Sequence, residues 1–243
     1  MRSPSRRSRN IGTAKQGHGQ DNRLALPISS HPTYSSFFEN LHDVRTERRM
    51  VGGHSLLFLI EKLRPSLTHA CSVDEIARVL ACVPPDDLEG LQFVVLRQPK
   101  RKEEILSPVW GRYIPFFEFK DEAGSAIILE SLDLTKPLRW KKPLSAHWME
   151  QVEKLRKQGH TVTESDRVFE IASTTEAVRE TQLFETLPHE VGHHVHACVD
   201  EAFHQRTTRE KEDYAEKYAR EFIEKFGTML RDNEEEVPLS GGP

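Results

Sequence analysis

The stretch 187–198, LPHEVGHHVHAC, constrains this chain more tightly than any other. Within it His189, Glu190 and His193 form H-E-x-x-H, a pattern in which two imidazoles hold a zinc ion and the carboxylate between them acts as general base. The spacing works on a helix, because a 3.6-residue period stacks positions i and i+4 on one face. On a helical wheel His189, Gly192, His193 and His196 fall together, with Val191, Val195, Cys198 and Val199 opposite. One face is suited to a metal and the other to a core. Pro188 lacks an amide and collides with the carbonyl of residue 184, so the helix either kinks there or restarts with Pro188 at its first position.

A catalytic zinc takes three protein donors and a water, so a third donor is needed. A metzincin pattern, H-E-x-x-H-x-x-G-x-x-H, is excluded, since His196 stands in place of its Gly and Val199 in place of its last His. A deaminase signature is excluded because Cys71, Cys82 and Cys198 are scattered singly. The remaining source is a carboxylate on a second helix. From Thr207 the sequence TTREKEDYAEKYAREFIEKF opens with a capping box (Thr207, Glu210) and carries Ala215, Tyr218, Ala219, Phe222, Ile223 and Phe226 at helical spacing. Glu212 and Glu216 share that apolar face, whereas Glu210, Asp213, Lys217, Glu221 and Glu224 face solvent. A carboxylate on a core face is costly unless it is paired or binds a metal, which singles out these two.

With these residues in view, the chain resembles the gluzincin clan of zinc metallopeptidases, in particular compact members with an H-E-x-G-H helix and a downstream E-x-x-A-[DE] helix, including the ImmA/IrrE-type regulators. The match is H-E-V-G-H followed, 19 residues after the second His, by E-D-Y-A-E-K-Y-A, and it covers residues 182–226. It implies a Zn2+ cofactor, His189, His193 and Glu212 as ligands, and Glu190 as catalytic base. It also implies that Glu216 orients a ligand histidine from behind. Glu216 stands where the family usually has an Asp, one methylene shorter. His196 shares the metal face and is expected behind the ligands or packed, while His194 receives no role. Gly192 is expected to admit a neighbouring backbone. Tyr113 and Tyr214 are candidate oxyanion donors that nothing in the sequence places. By analogy with the wider clan, an edge strand near the active helix pairs with extended substrate, and residues 125–131 are the expected strand.

The chain has 243 residues and a net charge of -4, enough for one sizeable core and without a global argument for nucleic acid. Three Cys with no C-x-x-C pair indicate a reducing cytoplasm. The basic start MRSPSRRSRN is followed by no apolar segment of a secretory signal, and runs such as Leu56–Ile60 are too short to span a bilayer. The expected fold class is α+β, a zincin-like domain with a small mostly antiparallel sheet, an active-site helix and a ligand-bearing helix, preceded by a small helical region.

In order, residues 1–33 carry Arg2, Arg6, Arg7, Arg9, Lys15 and Arg23 against Asp21 and read as a disordered basic arm, a solvated tail in preference to a nucleic-acid contact. Residues 34–90 read as the small helical region. HSLLFLIEKLR forms a helix ending before Pro65, and SVDEIARVLACV forms a second with a Ser72–Glu75 capping box. Its exposed face is not basic, against DNA binding. From Leu91 to residue 230 runs the zincin-like domain. LQFVVLR, RYIPFFEF and SAIILESL read as strands, the last two joined by KDEAGS, with Pro115 marking an edge or bulge. A helix with Leu144, Trp148, Val152 and Leu155 at core spacing ends at Gly159, and RVFEIAS is a short strand. A helix capped by Thr174 or Thr175 leads through Leu187. Residues 231–243 read as a frayed acidic tail.

The expected activity is hydrolysis of a peptide bond in an intracellular protein or peptide. The competing expectation is a regulatory or interaction protein with a zincin-like domain and little or no hydrolysis. A structural zinc is disfavoured, because closed sites use four protein ligands and prefer Cys.

Overall fold

Four-residue to nine-residue strands and a layer of helices make an α+β fold with two sheets, as the computed structural model shows for residues 40–100 and 110–235. The basic arm over 1–33, most of the loop between the first two predicted strands, and the end of the acidic tail lie outside the described residues. The main sheet contains β1 (Val44–Val51), β2 (His54–Glu61), β3 (Leu91–Arg97), β4 (Gly111–Phe119) and β5 (Glu122–Glu130) in the order β1-β2-β3-β5-β4. It is mixed, not mostly antiparallel: β2–β3 and β3–β5 are parallel, while β1–β2 and β4–β5 are antiparallel. A second, wholly antiparallel sheet joins β6 (Leu138–Lys141), β8 (Val168–Ala172) and β7 (Thr161–Glu164) in that order.

The expected helical region at 34–90 is corrected. HSLLFLIEKLR is not a helix; its apolar core is β2, with Leu56 and Phe58 in the helix-side core and Leu57 and Leu59 in a separate cluster with Phe93, Val95, Ala126 and Ile128. A run buried on both faces is continuously apolar and loses the alternation that marks a strand. Gly52 and Gly53, with φ of +56° and +87°, close the β1–β2 hairpin between Val51 and His54, the backbone sense a two-residue turn requires. One helix of the expected pair is present, α1 (Val73–Leu80). Its capping box has the Glu75 amide donating to Ser72 Oγ at 3.2 Å and the Ser72 amide to Glu75 Oε2 at 2.6 Å.

Downstream, Pro115 lies on the edge strand β4 beside a bulge between Ile114 and Phe117, as its missing amide demands. The β4–β5 turn is tighter than KDEAGS, with Lys120 at φ +55° and Glu122–Gly124 already paired in β5. Residues 125–131 are therefore not an edge strand: β5 is hydrogen-bonded on both sides, and the edge belongs to β4. Helix α2 (Ala146–Lys157) buries Val152 and Leu155 and is followed by Gly159 at φ +90°, while Leu144 precedes it and Trp148 is half exposed.

The chain then runs through α3 (Thr175–Thr181), capped by Thr174, into a π turn (Gln182–Thr186) and on to α4 (Leu187–Val199). Helix α5 (Thr208–Glu235) follows and continues past residue 231, so the start of the expected tail is helical. Leu187, Val191 and Val195 of α4 and Phe222 of α5 share one core with Leu56, Phe58, Val94 and Ile127 of the sheet. No helix among the described residues is long and apolar enough to cross a membrane.

Candidate metal centre

Pro188 enters α4 in its first turn, where a missing amide costs nothing. The helix upstream does not simply stop: it widens into the π turn, and the buried Gln182 side chain donates to the carbonyls of Trp110 at 3.0 Å and Glu130 at 2.8 Å. That anchor fixes where α4 begins, and so where its first histidine points.

His189 and His193 bring their Nε2 atoms to 3.1 Å, with the rings at 90°. Glu212 of α5 completes a triangle, Oε2 at 3.2 Å from His189 Nε2 and Oε1 at 3.6 Å from His193 Nε2. Donors bound about 2.0–2.1 Å from a tetrahedral zinc stand roughly 3.3 Å from each other. The nearest contacts, at 3.1–3.6 Å, are close to that spacing with a different Glu212 oxygen facing each imidazole, and the three residues form the one cluster of metal-ligating type among the described residues. The donor set, two imidazoles and one carboxylate, leaves a fourth tetrahedral corner, and the ligands are partly open, with Glu212 48% exposed.

Close crossing of the two helices makes the triangle possible. A Cβ on Gly192 would come within 2.8 Å of the Ala215 Cα and 3.0 Å of the Tyr218 Cβ. The absent side chain lets α5 approach until Glu212, one turn before Ala215, meets the histidine pair.

Electrostatics couple the three groups to one another. Hydrogen bonds to His189 and then His193 hold the Glu212 carboxyl far below the carboxylate range. At His189 burial works against the imidazolium, but the bond to Glu212 and the fields of Glu190, Glu212 and Glu216 outweigh it and raise the pKa. Glu190 is buried, and desolvation raises its pKa despite the opposing fields of His189 and His193 and a hydrogen bond from the Tyr113 amide on β4. A buried carboxylate beside such a site is suited to holding and releasing a proton.

No protein-family model, curated protein or solved structure matches this chain.

The remaining expected residues are placed as follows. Glu216 is exposed and makes no hydrogen bond or ion pair among the described residues; it reaches His189 only through its charge. His196 is buried away from the triangle, stacked on Tyr214 at 4.2 Å and 3.3 Å from Asp200. It is a packed histidine. Tyr113 turns its ring against His194 and its hydroxyl to Ser125, and burial pushes the phenol up to about 12. The Tyr113 hydroxyl is thus engaged by Ser125, and the Tyr214 ring packs on His196.

Sequence reasoning missed His194. It is buried, with its Nε2–H donating to the Glu89 carbonyl at 3.0 Å and its Nδ1 3.2 Å from Ser125 Oγ. It also missed Asp87, which accepts from the Tyr218 hydroxyl at 2.7 Å. Only the distance across 131 residues hid this bond, for no local pattern encodes it.

Proposed function

We propose that the protein is a zinc metallopeptidase with a zincin-like fold, hydrolysing peptide bonds in intracellular proteins or peptides. The observation that carries this reading is the His189–His193–Glu212 triangle with buried Glu190 beside it.

A zinc ion in the triangle supplies a Lewis acid that makes water nucleophilic near neutral pH and polarises a carbonyl. The chain's own residues do the rest. Glu190 accepts a proton from the attacking water as its oxygen bonds the scissile carbon, then delivers it to the amine as the C–N bond breaks. The Tyr113 amide orients the Glu190 carboxylate, and burial keeps its proton exchange away from bulk solvent. Extended substrate lies along β4 rather than residues 125–131, because β4 is the free edge beside α4. Pro115 offers no amide there and the Tyr113 amide already serves Glu190, so an extended substrate pairs with only part of this edge.

The test is metal analysis together with peptide cleavage. Wild-type protein is expected to hold one zinc per chain and to cleave, and Glu190→Gln to keep the zinc and lose cleavage. Protein that stays folded yet takes up no zinc overturns the reading. Zinc retained with equal behaviour of wild type and Glu190→Gln supports the interaction-protein alternative.

A further inference from the structure

We propose that the turn Pro85–Glu89 is a brace that sets the gap between the two ligand-bearing helices, with Asp87 acting through Tyr218 on α5 and the Glu89 carbonyl acting through His194 on α4. This rests on the metal reading above and assigns that site its positioning residues.

The turn is anchored to the sheet side of the core as well as to the helices. Leu88 is fully buried in the core, and His54 Nε2–H on β2 donates to the Pro85 carbonyl at 2.8 Å. From this platform one bond goes to each helix: 3.0 Å from His194 to the Glu89 carbonyl and 2.7 Å from Tyr218 to Asp87 Oδ2. Ser125 of β5 holds the other side of the His194 ring, so α4 cannot roll about its axis without breaking that contact.

Repulsion and attraction then act at one crossing. The Gly192 contact with Ala215 and Tyr218 stops the helices from coming closer. Nothing in that contact stops them from separating. Tyr218 sits at the crossing, and its hydroxyl bond to Asp87 adds to the shared core packing of the two helices a directional restraint against outward movement. The ligand triangle lies less than two turns away along α5. Metal sites tolerate distance errors of only about 0.2 Å. A helix freed from the brace moves Glu212 off the histidines by more than this through small rotations. No brace residue touches the metal.

The experiment measures zinc affinity by competition with a chromophoric chelator, at a temperature where circular dichroism shows every variant folded. Tyr218→Phe and Asp87→Ala are each expected to weaken binding about ten-fold, the lower end for residues behind a ligand shell. The double variant is expected to lose no more than either single one, because both remove one bond. Asp87→Asn keeps an acceptor and is expected to bind as wild type. With cobalt in place of zinc, the visible spectrum of Tyr218→Phe is expected to shift, which a loss of stability alone does not produce. Unchanged affinity and spectrum in Tyr218→Phe and Asp87→Ala, or fully additive losses, overturn the brace. If folded wild type binds no zinc, the metal reading fails separately, and amide hydrogen exchange decides the brace: faster exchange over the first half of α5 in both variants supports it, and unchanged exchange overturns it.

Discussion

His193 and His194 are neighbours in sequence, about 100° apart around α4, and the fold treats them in opposite ways. On the back of the helix His194 has a partner for each nitrogen and is almost wholly buried. On the front, His193 faces a second imidazole nitrogen and a carboxylate, with part of its surface open. A buried histidine with every valence met is a structural tie. A pair of imidazoles pointing the same atom at each other has at most one proton to share, and the arrangement becomes coherent when a cation replaces that proton. The same residue type thus serves stability on one side and chemistry on the other, and the hydrogen-bond inventory tells them apart.

Perturbing the front should change activity far more than folding. Glu190→Gln is expected to lower the cleavage rate by about 10³-fold, within the range for a general base, as a peptide assay reads. It is also expected to stabilise the metal-free protein at neutral pH. Burial raises the Glu190 pKa, so its contribution is present at low pH and is lost as the pH rises through that value. Thermal melts of both proteins at pH 7 check the sign.

Glu212→Ala is expected to cost about 100-fold or more in zinc affinity, as befits loss of one of three ligands. Glu210→Ala, two residues away, removes a capping-box bond at 2.8 Å to the Thr207 amide and should cost only about 1 kcal/mol of stability with metal binding intact. Equal zinc retention in the two variants, measured on purified protein, removes Glu212 as a ligand.

On the back of the helix the expectation reverses. His194→Ala should cost about 2–4 kcal/mol in denaturant unfolding, since it empties the space of a fully buried ring and removes its bonds to the Glu89 carbonyl and Ser125. Gly192→Ala places a methyl against backbone at 2.8 Å and is expected to cost about 1–3 kcal/mol, with zinc affinity falling as α5 is pushed outward.

The smallest effect is the pH response of the metal-free triangle. Glu212, lowered from 4.5, contributes stability above that pH and loses it as the medium turns acid; His189, raised from 6.5, contributes below that pH and loses it as the medium turns alkaline. The contact should therefore stabilise most between pH 4.5 and 6.5. The Glu212→Ala difference in melting temperature should peak there, and a flat difference across pH contradicts it.

Much of this arrangement is legible from residue order. Helical period alone brings His189 to His193, and Glu212 lies within reach of them, but it and Glu216 are exposed rather than set in the apolar face of α5. The capping boxes at Ser72 and Thr207 and the break at Pro115 are likewise local chemistry. What escaped is nonlocal. β2 read as helical because burial on both sides erases alternation, and the Gly52–Gly53 turn was the available sign against it. β6 and β7 are four residues each, too short for any period to show. The fate of His194 depends on a carbonyl 105 residues upstream, beyond the reach of any pattern in one segment.

The π turn before α4 has one more effect. A single added residue within a helix advances everything after it by about 100° of azimuth. Gln182–Thr186 therefore acts as the dial that aims the histidine pair at α5 instead of into the sheet. Shortening this segment by one residue would tighten it to an ordinary spiral and swing His189 and His193 about a quarter turn away from α5, leaving the composition of the site unchanged and its bearing wrong.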